Sequence, residues 1–255
     1  MLTTAWMYPM IFAVGFLAGL VDSIAGGGGM ITLPALLLFG VPPQAALGTN
    51  KLQSTFGSFT AAWFHVQKKV VDLKEAIPGI LFTFLGAAIG TLLVEQIDNK
   101  VLYAVIPFLL FAIAIYFLFS PDVGETSSRR RLSNIIFYLI FGSLFGFYDG
   151  FFGPGVGSFW VVALVLLAGY NLTTATGYTK VMNFVSNITS FLFFVFKSDV
   201  LFGIGLTMAA GQVVGARIGS GIVVTKGAKI IRPIYVVIVI LTMIKLFYQH
   251  FSITH

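Results

Sequence analysis

Apolar residues run along this chain in long blocks separated by short polar turns. Read against Gly, Pro and charged residues, the blocks fall at 8–25, 29–40, 42–66, 76–94 and 99–119. They recur at 133–150, 155–169, 171–196, 200–223 and 228–250. Most are about 18 to 25 residues long, enough for a helix to cross a hydrocarbon core of about 30 Å. The blocks at 29–40 and 155–169, about 12 to 15 residues, are short for that crossing. The longest polar stretch, Ser120 to Arg131, divides the set in the middle. The pattern predicts an all-α polytopic membrane protein with a first transmembrane repeat at 1–119, a basic cytoplasmic linker at 120–132 and a second repeat at 133–255.

Composition agrees with a bilayer location. Of 255 residues, 58% are hydrophobic and 9% charged, against roughly 25% charged in an ordinary soluble domain. The apolar blocks are too many for a signal peptide ahead of a soluble domain. The net charge of +6 sits mostly in short loops, so it reports topology and does not call for a nucleic-acid partner. With no cysteine in the chain, disulfides, thiolate metal sites and Cys nucleophiles are excluded. No cofactor or metal is expected.

Three basic clusters orient the chain: Gln67-Lys68-Lys69 with Lys74, Arg129-Arg130-Arg131, and Lys226 with Lys229 and Arg232. Placed in the cytoplasm, they make 76–94 and 99–119 an even pair. The stretch 133–169 then enters and returns on the cytoplasmic side, and 8–40 enters and returns on the outer side. Each half becomes a glycine-broken hairpin plus three spanning helices, and the halves are inverted relative to each other. On this count the C-terminus is periplasmic. The alternative, in which every arm spans fully and the repeats are parallel, stays open.

The halves share more than length. A constant offset of 129 relates Gly40 to Gly169, Gly48 to Gly177, Lys51 to Lys180, Val71 to Val200, Gly86 and Gly90 to Gly215 and Gly219, and Lys100 to Lys229. Ahead of each lysine lies a carboxylate with a glycine cluster, Asp22 before Gly26 to Gly29 and Asp149 before Gly153 to Gly157. Each lysine is nine residues into its segment, or roughly 14 Å at 1.5 Å per residue, close to the midplane. A cation at that depth is costly unless it has a partner or water, which makes it a site candidate.

Two explanations stand for the lysines. They are structural ion pairs with Asp22 and Asp149, or they hold an anionic substrate at the repeat interface. Lys51, Ser54, Thr55 and Ser58 share one helical stripe, as do Lys180, Asn183, Asn187 and Ser190. Ser58 and Ser190 fit interhelical hydrogen bonding, whereas Asn50, Gln53, Asn183 and Asn187 point to a ligand. Helices restarting after Gly28, Gly29 and Gly155 would offer backbone donors and a positive end to an anion. Asp22 and Asp149 either cap the lysines or relay protons. His65 reads as interfacial and Arg217 as snorkelling.

These residues resemble a known family. Gly19-Leu20-Val21-Asp22-Ser23-Ile24-Ala25-Gly26-Gly27-Gly28-Gly29, Gly48-Thr49-Asn50-Lys51-Leu52-Gln53, Gly146-Phe147-Tyr148-Asp149-Gly150-Phe151-Phe152-Gly153-Pro154-Gly155 and Gly211-Gln212-Val213-Val214-Gly215-Ala216-Arg217-Ile218-Gly219 are similar to the motifs of the sulfite exporter TauE/SafE family. The departure is two extra residues between Asp149 and its lysine. The resemblance implies a bacterial inner-membrane permease for sulfite, thiosulfate, sulfoacetate or related small anions. Alternating access around Lys51 and Lys180 is the expected mechanism, with proton coupling open and an anion channel or non-transporting assembly factor as alternatives. No Walker motif is present to use ATP, and His65 has no Ser partner for proteolysis. A homodimer stays open, because Gly86 with Gly90 and Gly215 with Gly219 suit a dimer or internal packing equally.

Overall fold

The computed structural model describes residues 7–119, 131–197 and 200–222, which form helices and no strand. The helices are α1 Met7–Ala25, α2 Gly29–Leu38, α3 Pro43–Gln67, α4 Leu73–Val94, α5 Asn99–Phe119, α6 Asn134–Phe151, α7 Val156–Leu166, α8 Leu172–Lys197 and α9 Phe202–Ile222. The block expected at 228–250, the basic cluster at Lys226, Lys229 and Arg232, and the C-terminus lie outside the described residues.

Local chemistry sets the boundaries. Pro43 opens α3, where its missing N–H costs nothing. Asp72 caps α4 by accepting from the Lys74 amide at 2.8 Å, and Ser133 caps α6. A π-turn at Tyr138–Gly142 interrupts α6. By length and apolarity α4, α5, α6 and α8 can each cross a bilayer. The 25-residue α3 has the length as well, but its centre carries Thr49, Asn50, Lys51, Gln53, Ser54 and Thr55, all buried.

The glycine clusters break helices as expected. Gly26, at φ 71°, ends α1, and Gly153 and Gly155, at φ 105° and 85°, separate α6 from α7. Only glycine adopts these angles without strain. The short arms α2 and α7 each end in another left-handed glycine, Gly40 and Gly169.

Packing contacts between the halves are reciprocal. α1 runs along α9 in the same direction, with Gly15 against Met208, Gly19 against Gln212, and Gly215 against Phe16 and Leu20. In the same way α4 runs along α6, with Gly86 against Ser143, Gly90 against Phe147 and Gly150 against Ala87. The contacts are backbone to backbone, the close approach that small residues permit in membranes. These glycine faces therefore serve internal packing.

At the centre α3 and α8 cross in opposite directions. Gly48, near the start of α3, meets Phe194 and Val200, and Gly177, near the start of α8, meets Val70 and Val71. The starts of α1 and α3 sit at the end of the bundle that holds residues 200–203: Tyr8 lies beside Gly203, and the Leu201 amide donates to Thr49 Oγ1 at 3.0 Å. The starts of α6 and α8 sit at the other end, with Lys68, Lys74 and Arg131. There Asn134 donates to the Glu75 carbonyl at 3.0 Å, and Tyr178 donates to the Glu75 carboxylate at 2.9 Å. The outer surface carries exposed Leu81, Phe84, Leu85, Ile89 and Phe108, as a lipid-facing surface does.

Candidate functional site

The two aspartates lie in the last turns of α1 and α6, beside the breaks. Lys51 donates to Asp149 Oδ1 at 2.6 Å and to the Asp149 carbonyl. Lys180 donates to Asp22 Oδ2 at 3.1 Å and to the Asp22 carbonyl. The pairing is thus crossed, each half's lysine holding the other half's broken helix. Both carboxylates are satisfied further: Asp22 Oδ1 accepts from the Gly28 amide at 3.1 Å, and Asp149 Oδ2 accepts from Ser186 Oγ. All four charged side chains are buried, where an unpaired charge would be prohibitive. The lysines also cover carbonyls at the negative ends of α1 and α6.

Between the breaks lies a polar cavity. Asn50 and Ser54 line it from α3, Asn183 and Asn187 from α8, and Gln212 from α9. Asp22, Asp149, Gly26, Gly29, Gly153, Gly155 and Val156 complete the wall. The positive starts of α2 and α7 therefore border it. The cavity measures about 20 Å³, room for about one water molecule. Beside it the two hairpin tips touch, and a Cβ on Gly26 would lie 2.7 Å from the Gly157 carbonyl carbon.

Seven of the sequence-predicted site residues meet at this cavity: Asp22, Asp149, Asn50, Asn183, Asn187, Gly29 and Gly155. Four sit behind it. Lys51 and Lys180 are occupied by their carboxylates, and the Gly28 amide is bound to Asp22. Gln53 Nε2 donates to Asn50 Oδ1 at 2.9 Å and to Thr32 Oγ1 at 3.0 Å. Gln53 thereby orients Asn50 without itself lining the cavity.

The structure adds Ser54, Gln212 and Gly153 to the wall, and Ser186 and Thr32 to its support. Gln212 carried a legible signal, as the only amide in the block 200–223. Gly57 makes room for it, since a Cβ there would lie 2.5 Å from Gln212 Cδ. Gln212 Oε1 and Asn183 Oδ1 are buried without a hydrogen-bond partner.

His65 lies in the last turn of α3 and is buried, with neither ring nitrogen hydrogen-bonded, because the start of α8 at Gly177 packs over it. One expectation needs correction. Ser58 bonds the Ser54 carbonyl of its own helix at 2.6 Å, and Ser190 Oγ has no partner, so neither hydroxyl bridges helices. A hydroxyl one turn after a helical carbonyl satisfies itself locally.

A second polar cluster clamps the basic end. Tyr170 and Tyr178 stack with ring centroids 4.9 Å apart, and both donate to the Glu75 carboxylate, at 2.7 and 2.9 Å. Burial, and then the bond to Glu75, push the Tyr170 phenol well above its ordinary range. Among the described residues no three His, Cys, Asp or Glu side chains gather as a metal site would require.

A helical bundle with two broken helices, a buried polar cavity between its halves and a lipid-facing exterior is the architecture of a membrane transporter. Comparison with known proteins gives the family. Residues 11–246 match the family described as sulfite exporter TauE/SafE, and the chain belongs to that family. It is 45% identical over 243 residues to a "Probable membrane transporter protein" of Haemophilus influenzae, covering 95% of each chain. It is also 47% identical to "Probable membrane transporter protein ORF9" of a Sinorhizobium species, covering 94% of this chain and 92% of the relative. Against "Probable membrane transporter protein YfcA" of Escherichia coli K12 it is 44% identical, covering 94% and 89%. No solved structure matches the chain.

Proposed function

We propose that this protein is a secondary transporter of the bacterial inner membrane for small sulfur-containing or organic anions such as sulfite, thiosulfate or sulfoacetate. The observation that carries this reading is the cavity itself. The starts of two helices and the side chains of Asn50, Asn183, Asn187 and Gln212 converge there, while the nearby carboxylates are neutralised by lysines. Lys51 and Lys180 act from behind the wall, cancelling Asp149 and Asp22 and shielding the negative ends of α6 and α1. Asn50, Asn183 and Asn187, with the backbone at Gly29 and Gly155, contact the anion. Gly28 and Gln53 hold that wall in shape.

An inverted relation of the halves is part of the same proposal. It is supported by the opposite directions of α3 and α8, and by the first hairpin opening at one end of the bundle and the second at the other. The basic residues Lys68, Lys74 and Arg131 share the second of these ends, which we assign to the cytoplasm. Transport then consists of one hairpin withdrawing while the other stays closed. A cavity of about 20 Å³ is too small for an oxyanion, so the conformation described is contracted around the site.

The test is uptake of labelled sulfite, thiosulfate and sulfoacetate into proteoliposomes, with and without a pH gradient. Flux of at least one anion above protein-free vesicles is expected, and no flux of any would end the proposal. Proton coupling is a separable element. If the gradient drives flux, Asp22→Asn and Asp149→Asn should abolish that dependence.

A further inference from the structure

The crossing of α3 and α8 is built twice, with one chemical difference. Near the start of α3, Gly48 packs against Phe194 and Val200, and a Cβ there would lie 3.2 and 3.0 Å from their side chains. Near the start of α8, Gly177 packs against His65 and Val71, at 3.4 and 2.7 Å by the same measure. The offset of 129 relates every member: Gly48 to Gly177, Val71 to Val200 and His65 to Phe194. One joint therefore buries a phenyl ring and the other an imidazole, 0% and 3% exposed. Of the two rings only the imidazole can take up a proton.

That imidazole is unpartnered as well as buried. In its neutral form one ring nitrogen donates and the other accepts, and neither has a partner. Protonated, it would bring two donors and a charge into the same enclosed place, where Lys180 is near enough to repel it. Water relieves this only if the start of α8 moves off the end of α3. Proton uptake and opening of this joint are therefore linked.

We propose that His65 is a proton-binding site that opens the α3–α8 joint at the basic end in acid, while Phe194 leaves the opposite joint indifferent to pH. This goes beyond the transporter reading above, since it makes access from one end of the bundle proton-dependent and access from the other not. A solvated imidazole titrates at about pH 6.5. The opened joint takes up a proton below that pH and the closed one does not, so the opened population rises as pH falls.

The two valines report the two joints. The chain has no cysteine, so Val71→Cys and Val200→Cys each place a single thiol, in a position buried in the closed protein, against Gly177 or Gly48. Labelling by a pyridyl disulfide, which reacts with thiols in acid, is timed in the full-length protein. Each rate is divided by that of the denatured protein at the same pH, which removes the thiol's own ionisation. Between about pH 7.5 and about pH 5.5 the relative rate at Val71→Cys should rise about tenfold, with Val200→Cys unchanged. His65→Phe, which installs the residue of the opposite joint, should abolish the rise, and so should His65→Gln.

Other titratable groups belong to the elements that meet at this end: Lys180 and Tyr178 on α8, Tyr170 before it, Lys68 and Asp72 in the turn after α3, and Glu75 on α4. All are retained in both His65 variants, so loss of the rise assigns it to the imidazole. The two replacements differ in bulk and polarity, and a folding defect in one leaves the other to decide. A flat relative rate at Val71→Cys, equal rises at Val71→Cys and Val200→Cys, or a rise that survives in a folded His65 variant would each overturn the proposal. Labelling needs no substrate, so absence of anion flux would remove the transporter reading and leave this one standing.

Discussion

At the residue scale the centre is held by two crossed ion pairs, and the lysines act there as counter-charges to buried carboxylates. Lys51→Ala leaves the Asp149 carboxylate buried with only Ser186 to satisfy it. Losing one partner of a buried pair costs about 3–5 kcal/mol, whereas replacing both by apolar groups is often neutral. Thermal unfolding in detergent should therefore show Lys51→Ala well below wild type and Lys51→Met with Asp149→Leu close to it. A double variant as unstable as the single one would mean the pair is not the source of the loss. Gly57→Ala acts on the wall instead, because its Cβ would lie 2.5 Å from Gln212 Cδ. Anion affinity should fall several-fold, and Gly57→Ala in a Gln212→Ala background should cost nothing further. Both lysines and both aspartates were legible in the sequence as charges at depth. The two aspartates were legible as partners, but which one each lysine meets was not, because 98 and 158 residues separate the pairs and local periodicity has no information at that range.

At the element scale the broken hairpins were legible because glycine clusters and short apolar blocks coincide at Gly26–Gly29 and Gly153–Gly157. What the pattern could not give is that the tips meet: Gly26 and Gly157 are at backbone contact, and that follows only from three-dimensional packing. Gly157→Ala places a methyl into the Gly26 backbone, so the hairpins must separate. Transport should fall by at least tenfold while Gly203→Ala, which faces open space apart from Tyr8 at 3.7 Å, stays near wild type in the same flux assay. The tyrosine clamp was illegible for a different reason. Tyr170 falls in the turn between two blocks and Tyr178 inside the second, with no local pattern linking them, and only the fold brings Glu75 to both. Tyr170→Phe removes one hydrogen bond to a carboxylate, worth about 1.5–3 kcal/mol. Since Tyr170 follows the return arm of the second hairpin, proteolysis or hydrogen exchange at 167–171 should speed up without a matching change at residues 38–42.

At the scale of the whole molecule, reciprocal packing ties the two halves into one body: α1 on α9, α4 on α6, and α3 across α8. A two-fold relation predicts such reciprocity for parallel and inverted repeats alike. The directions support the inverted relation proposed above, since an axis along the membrane normal would make α3 and α8 run the same way, and they run opposite ways. Loop charges at Lys68, Lys69, Lys74 and Arg129 to Arg131 favour the same reading in the sequence, with parallel repeats as the alternative. Pro42 and Asn171 provide the sharpest test. They are 129 residues apart, at equivalent positions after the two short arms, and both are exposed. Because the chain contains no cysteine, Pro42→Cys and Asn171→Cys can each be labelled alone in intact cells with a membrane-impermeant maleimide. Inverted halves require Pro42→Cys to react from outside and Asn171→Cys only after permeabilisation, with Asp98→Cys following the first and Lys68→Cys the second. Labelling of Pro42→Cys and Asn171→Cys from the same face would replace inversion with parallel repeats, and with it the idea that the hairpins reach the lysines from opposite sides.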